Sequence, residues 1–200
     1  MSPGAPTLAA LDVGGPAEPW ERVGFAIESG RTGAGEVELR FDPAAPPGLR
    51  ALALHGVAPG ATIDGIPCTA PSESASAPAH PNRVARVDHV VVTTPRLDRT
   101  LAALAAVGLE VRRTREAGDG MRQAFLVAGP AVLEVVCDTA ETEAPRLWGI
   151  TFVVPDVDAF AADFPDAVGT PRDAVQPGRR IVTVRQAAGL GVPVAFMTPR

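Results

Sequence analysis

The most constraining feature of this sequence is a pattern of one strand, one helix and three strands that recurs along its 200 residues. The clearest copy begins with the strand "RVDHVVVTT" and continues with a helix whose apolar stripe contains Leu97, Leu101 and Leu104. Thr94 is expected to cap this helix, and Gly108 is expected to end it. The strand-like segments "LEVRRTREA", "MRQAFLVAG" and "AVLEVVCD" complete the unit. A recurring unit of this kind predicts a repeated fold.

Two further copies of the pattern lie on either side of a proline-rich segment. One starts at "LWGITFVV", has a helix opened by Pro155, and ends with "RRIVTVRQA" and "VPVAFMTP". A weaker copy at the amino end contains "LAALDV", the short helix "PAEPWERVG", "GEVELRFD" and "LRALALHGV". The segment "TAPSESASAPAHPN" is typical of a loop. The sequence therefore predicts a degenerate unit at 1–60, a Pro/Ser/Ala-rich linker at 61–83, and a two-unit domain at 84–200.

Composition and charge exclude several classes of partner. The net charge is −5 and the 18 basic residues, all arginines, form no cluster large enough for a nucleic-acid site. No apolar run approaches the roughly 20 residues of a membrane-spanning helix, and the amino end lacks the features of a signal peptide. Cys68 and Cys137 stand far apart in no known motif, which is typical of free thiols in the reducing cytoplasm.

The paired units resemble a known superfamily. With "DHVVV" opening one unit and "VLEVV" closing it, they are similar to the vicinal oxygen chelate superfamily, which includes glyoxalase I, extradiol dioxygenases, fosfomycin-resistance enzymes and bleomycin-binding proteins. Residues 84–199 resemble a complete two-unit domain, and residues 7–57 resemble a degenerate third unit. The resemblance implies an α+β fold in which tandem βαβββ units form a curved mixed sheet around a small-molecule cavity.

The resemblance also implies where a metal would bind. In this superfamily the ligands come from the first and last strands of each of two units, and His89 and Glu134 occupy those positions in the middle unit. Strand alternation predicts that Val87 and His89 share one face. Imidazole and carboxylate suit a divalent metal such as Ni, Zn, Mn, Fe or Co. The next unit has Gly149 at the position of the histidine, and its closing strand has no carboxylate, so the set is incomplete.

Two interpretations of His89 and Glu134 therefore stay open. In the first, they are metal ligands, and His55, His80 or a second chain supplies the missing donor. In the second, His89 forms a hydrogen bond with Glu134 across the cavity, and the site has no metal cofactor.

Four further residues are candidates for ligand binding. Arg122 and Gln123 are adjacent in one strand, so only one of them faces the cavity. Trp148 either stacks on a planar ligand or plugs the cavity. Arg179 either gates an anionic ligand or belongs to a solvated turn. Arg115 is expected on the outer face of an exposed strand.

Three functions are compatible with these residues. The first is a lyase, isomerase or dioxygenase in which His89 and Glu134 are metal ligands or an acid/base pair. The second is a metal-free protein that sequesters a small molecule, and the third is an interaction protein whose cavity is filled. A homodimer is expected if the amino-terminal unit packs against a second chain rather than against the edge of its own domain.

Overall fold

The computed structural model describes residues 4–72, 78–116, 121–137 and 143–200. The first sheet contains β1 (Thr7–Gly14), β2 (Arg31–Ala34), β3 (Val37–Asp42), β4 (Gly48–His55), β5 (Thr62–Ile63) and β6 (Ile66–Thr69). The second contains β7 (Arg86–Thr94), β8 (Val111–Glu116), β9 (Arg122–Ala128), β10 (Ala131–Cys137), β11 (Arg146–Val153), β12 (Arg172–Asp173), β13 (Arg180–Thr183) and β14 (Val194–Met197). The helices are α1 (Glu18–Arg22), α2 (Leu97–Ala106) and α3 (Val157–Asp163). The predicted α+β class is confirmed.

The two sheets have the same topology. The first has the strand order β2-β3-β1-β4-β6-β5, and the second has the order β12-β13-β14-β11-β7-β10-β9-β8. Read from the other end and without its edge strands β8 and β12, the second order is β9-β10-β7-β11-β14-β13. The parallel and antiparallel pairs then correspond one to one. The first sheet is therefore a reduced copy of the second.

The correspondence extends to individual bulges. The pairing of β1 with β4 skips Ala9 and later Arg50, and the pairing of β7 with β11 skips Asp88 and Trp148 at the matching positions. A bulge sends two consecutive residues to the same face and disrupts the ladder locally. Because both sheets have two bulges at matching positions, they indicate that one sheet arrangement was duplicated within the chain.

This topology changes the expected organisation of the amino-terminal part. The sequence assigned residues 1–60 to one βαβββ unit with β4 as its last strand. Instead, β4 lies antiparallel to β1, as β11 lies to β7, and it opens a second half that is completed by β5 and β6. Both of these short strands fall within 61–83, which had been assigned entirely to a linker. Residues 73–77 of that predicted linker lie outside the described residues.

One hydrophobic core lies between the two sheets. Trp20 of α1 is completely buried and makes edge contacts with Phe25, Phe41 and Phe152, with the last of these belonging to β11. Its indole N–H donates a hydrogen bond to the carbonyl of Leu190 at 3.2 Å. The amino-terminal part thus packs against the face of the second sheet and not against its edge, because the large aromatic side chains of both parts bury one another.

Helix starts differ in part from the sequence expectation. Arg96, not Thr94, is the N-cap of α2, and the Thr94 hydroxyl accepts a hydrogen bond from the Arg96 backbone N–H at 3.1 Å. Gly108 has the expected left-handed conformation, with φ of 93°. Asp156 caps α3 by accepting hydrogen bonds from the backbone N–H groups of Asp158 and Ala159. Within the described ranges, no helix combines the length and the apolar character needed to span a bilayer.

Candidate functional site

The candidate site lies on the face of the second sheet that points away from the shared core. The bulge in β7 places Asp88 and His89 on this face together, and it turns Val87 into the core, where it is 1% exposed. The expectation that Val87 shares a face with His89 is therefore wrong. Glu134 reaches the same face from β10, which runs parallel to β7. The bulge thus supplies two neighbouring polar side chains where alternation would supply one.

Asp88 is the centre of a buried network of charges. Its carboxylate accepts a hydrogen bond from His89 Nδ1 at 2.9 Å and from Arg179 Nη2 at 2.8 Å. Arg179 also donates from Nε to the carbonyl of Thr198 at 2.7 Å. Burial alone would raise the pKa of Asp88, but the hydrogen bonds and charges of His89 and Arg179 outweigh it and hold this pKa well below its usual range. Asp88 therefore stays ionised and orients the His89 ring.

Glu134 faces the other ring nitrogen of His89. The distance from His89 Nε2 to Glu134 Oε2 is 3.6 Å, which is too long for a hydrogen bond. The expected bond across the cavity is therefore absent in this geometry, and His89 bonds to Asp88 instead. Burial raises the pKa of Glu134, and the positive charges of His89 and Arg115 offset this only in part. A carboxyl group with a raised pKa beside an oriented imidazole is a pair suited to acid/base chemistry.

His89 and Glu134 line an open cleft of about 290 Å³. Gln123 faces the cleft, whereas Arg122 points to the opposite face and pairs with Asp98 of α2 at 3.3 Å. Of these two neighbours, the structure thus brings only Gln123 to the site. Arg115, which was expected on an outer face, also lines the cleft. Its other lining residues are Phe125, Arg172, Asp173, Ala174, Val175, Gln176, Ile181 and Met197.

The structure contradicts one of the two alternatives for Trp148 and one of the two for Arg179. Trp148 is 44% exposed and lines a separate hollow of about 80 Å³ with Val91 and Gly149, so it does not plug the cavity. Arg179 is 3% exposed, so it is not part of a solvated turn. Its guanidinium is occupied by Asp88. Sequence reasoning did not recognise Asp88 as a site residue, although it directly precedes the histidine in "DHVVV".

Comparisons with known proteins bear on the fold of this site. Methylmalonyl-CoA epimerase from Mycobacterium tuberculosis matches with a TM-score of 0.50 at 20% identity, over 59% of this chain and 90% of that chain. The part of the chain that this match covers has the vicinal oxygen chelate fold. A variant epimerase from Streptomyces coelicolor, in complex with 2-nitronate-propionyl-CoA, is 28% identical with a TM-score of 0.48, over 57% of this chain and 97% of that chain.

Another structure with this similarity is a hypothetical protein from Bacillus halodurans C-125, which is 14% identical with a TM-score of 0.48 over 57% of this chain and 94% of that chain. No family model matches the sequence. No curated protein matches it either.

The residues at the metal positions of the vicinal oxygen chelate fold do not fit a catalytic metal. His89 and Glu134 offer two donors, whereas such sites usually have about three protein ligands. Register places Gly149 and Ala195 at the other two positions. A Cβ atom at Gly149 would lie 2.8 Å from the Pro193 carbonyl oxygen, so the backbone itself closes this position. In the described part of the chain, no group of three or more potential metal-binding side chains occurs.

The other two histidines do not complete the set. His80 is buried, with Nδ1 accepting from the Ala26 N–H at 3.1 Å and Nε2 donating to the Gly33 carbonyl at 2.7 Å. His55 is exposed at the end of β4 in the first sheet. The first sheet has lost the donors at the matching positions, which are occupied by Ala10, Arg40, Ala51 and Thr69.

Proposed function

We propose that this protein is an isomerase-type enzyme that moves a proton at a carbon atom next to a carbonyl group of a small molecule. The observation that carries the proposal is that His89 and Glu134 line one cleft 3.6 Å apart, while the buried Asp88 accepts a hydrogen bond from His89 at 2.9 Å. The cleft of about 290 Å³ is close to the lower limit of common ligand sites, which favours a small substrate.

The roles follow from the orientation of the groups. The Glu134 carboxylate takes the proton from the carbon atom, and the electron pair of the broken C–H bond forms the enol double bond. His89, protonated on both nitrogens, donates its Nε2 proton to the carbonyl oxygen, while Asp88 holds Nδ1. The reverse steps regenerate the carbonyl with the proton at the same or at a conjugated carbon.

Both groups reach the substrate from one face of the sheet. Because Glu134 and His89 lie 3.6 Å apart on neighbouring strands, they cannot contact opposite sides of one carbon atom. We therefore expect proton transfer on a single face, and not inversion by two opposed bases. Burial raises the pKa of Glu134, which makes its carboxylate a stronger base than an exposed carboxylate.

The test is solvent deuterium exchange, followed by NMR, into a panel of small oxo acids and acyl thioesters. Glu134→Gln is expected to lower the exchange rate by about 10²–10⁴-fold, the usual contribution of a positioned acid or base. Glu116→Gln, at an exposed position of β8, is the matched control and is expected to keep the rate. Equal rates in the Glu134→Gln variant and the wild type would refute the role of Glu134.

A second function is favoured by the exposed Trp148. This indole lies on the same face as His89, beside the small hollow, and it is available to stack on a planar ligand. We propose metal-free sequestration of such a ligand as the alternative, with Gln123 as a polar contact in the cleft. A sequestering protein would bind its ligand without exchange of any proton, and Trp148→Ala would weaken the binding.

A further inference from the structure

The cleft is closed on two sides by opposite edges of the second sheet. The strand order places β8 at one end and β12 at the other. Nevertheless, Arg115 of β8 and Arg172 of β12 line the same cleft as Glu134. The sheet is therefore curved enough that its two edge strands face one another across the site.

Both arginines direct positive charge to this space. Within residues 4–72, 78–116, 121–137 and 143–200, neither guanidinium takes part in an ion pair, whereas the neighbouring Asp173 pairs with Arg180 at 3.5 Å. Arg113 adds a third positive charge, since its guanidinium lies 5.3 Å from the centre of the Phe125 ring in the cleft wall.

An anion would satisfy these groups. A guanidinium presents several N–H donors in one plane, and they match the oxygen atoms of a carboxylate or phosphate. Two like charges that face one cleft repel each other, and a bound anion removes that repulsion.

We propose that Arg115 and Arg172 form an anion-binding subsite for a carboxylate or phosphate group of the substrate. Bound there, such a group places the adjoining carbonyl carbon near His89 and Glu134. This second statement rests on the proposed proton-transfer function, whereas the anion subsite itself does not.

The test measures the binding of malonate and of inorganic phosphate by isothermal titration calorimetry at low ionic strength. The wild type is expected to bind at least one of these two anions. Arg115→Gln or Arg172→Gln should raise the dissociation constant by about tenfold or more, because each removes a charge-assisted hydrogen bond. Arg122→Gln is the matched control, because it removes the same charge from the opposite face. Its dissociation constant should stay within about twofold of the wild type, as for a distant screened charge.

Each outcome has a defined meaning. Preference for malonate assigns a carboxylate to the substrate, and preference for phosphate assigns a phosphate. No saturable binding by the wild type, or equal weakening by all three substitutions, would overturn the subsite. Glu134→Gln separates this proposal from the proton-transfer function, since it should bind the anion at least as tightly as the wild type while it loses deuterium exchange. Circular dichroism and thermal melts of each variant verify that the fold is retained.

Discussion

Arg179→Met tests the buried network most directly. The substitution removes the hydrogen bonds from Arg179 to Asp88, at 2.8 and 3.4 Å, and to the Thr198 carbonyl, at 2.7 Å. Among the residues that the structure describes, Asp88 then stays buried with His89 at 2.9 Å and Arg86 at 3.7 Å as the remaining partners of its charge. Removing one partner of a buried ion pair costs about 3–5 kcal/mol, because the other charge is left uncompensated.

The assay is urea unfolding at neutral pH, with the midpoint and slope fitted separately. Arg180→Met is the control, since the neighbouring arginine pairs with Asp158 and Asp173 on the surface and should contribute far less. In the double variant Asp88→Asn/Arg179→Met, part of the loss should be recovered, because no buried charge remains unpaired. If the Arg179 and Arg180 variants lost equal stability, the argument for the network would fail.

Three further predictions concern packing and pH. Gly149→Ala should destabilise the fold by about 1–3 kcal/mol, because the new Cβ atom would overpack against the neighbouring backbone. Gly169→Ala is the control and should leave the stability unchanged, because its Cβ atom would have no neighbour closer than 3.7 Å. Urea unfolding compares the two variants. Trp20→Ala should cost about 3–5 kcal/mol because it empties a fully buried site, whereas Trp148→Ala should cost much less in the same assay. Folding lowers the pKa of Asp88. Ionised Asp88 therefore stabilises the fold fully at pH values above its unfolded-state pKa of about 3.9, and this stabilisation is lost as the pH falls towards the lower pKa of the folded state. The Asp88→Asn variant should therefore lose less stability at acid pH than the wild type. Urea denaturation curves at several pH values measure this difference, and the same acid dependence in both proteins would refute the prediction.

The sequence predicted the fold class because the repeated strand and helix pattern depends on local periodicity. It predicted the wrong neighbour for His89, since alternation assumes that no residue is skipped and the bulge at Asp88 has no local signature. The hairpin of β5 and β6 did have a signal, because Asp64 and Gly65 form the turn with positive φ values that such a dipeptide favours. That signal was assigned to the linker together with its proline-rich surroundings.

Sequence patterns could indicate only those site residues whose placement does not depend on how distant strands pair. His89 and Glu134 were implied by the resemblance of "DHVVV" and "VLEVV" to a known superfamily. Arg179 and Arg172 reach the network and the cleft through long-range pairing of later strands. Whether Arg122 or Gln123 faces the cleft also depended on the tertiary direction of β9. Such information is not contained in the spacing of residues along one element.

The internal duplication predicts an asymmetry in how the chain tolerates substitution. Ala10 and Arg40 in the first sheet hold the places that His89 and Glu134 hold in the second, yet both copies keep the same pair of bulges. The two bulges are therefore present in the first sheet although it has no histidine or glutamate at these positions. In a saturation mutagenesis survey, the first sheet would be sensitive for structural reasons alone, because Ala10 is fully buried and Arg40 forms an ion pair with Glu38. Substitutions of His89 and Glu134 in the second sheet are expected to impair the proposed proton transfer in addition. The first sheet thus serves as an internal reference that separates what the architecture requires from what the proposed reaction requires.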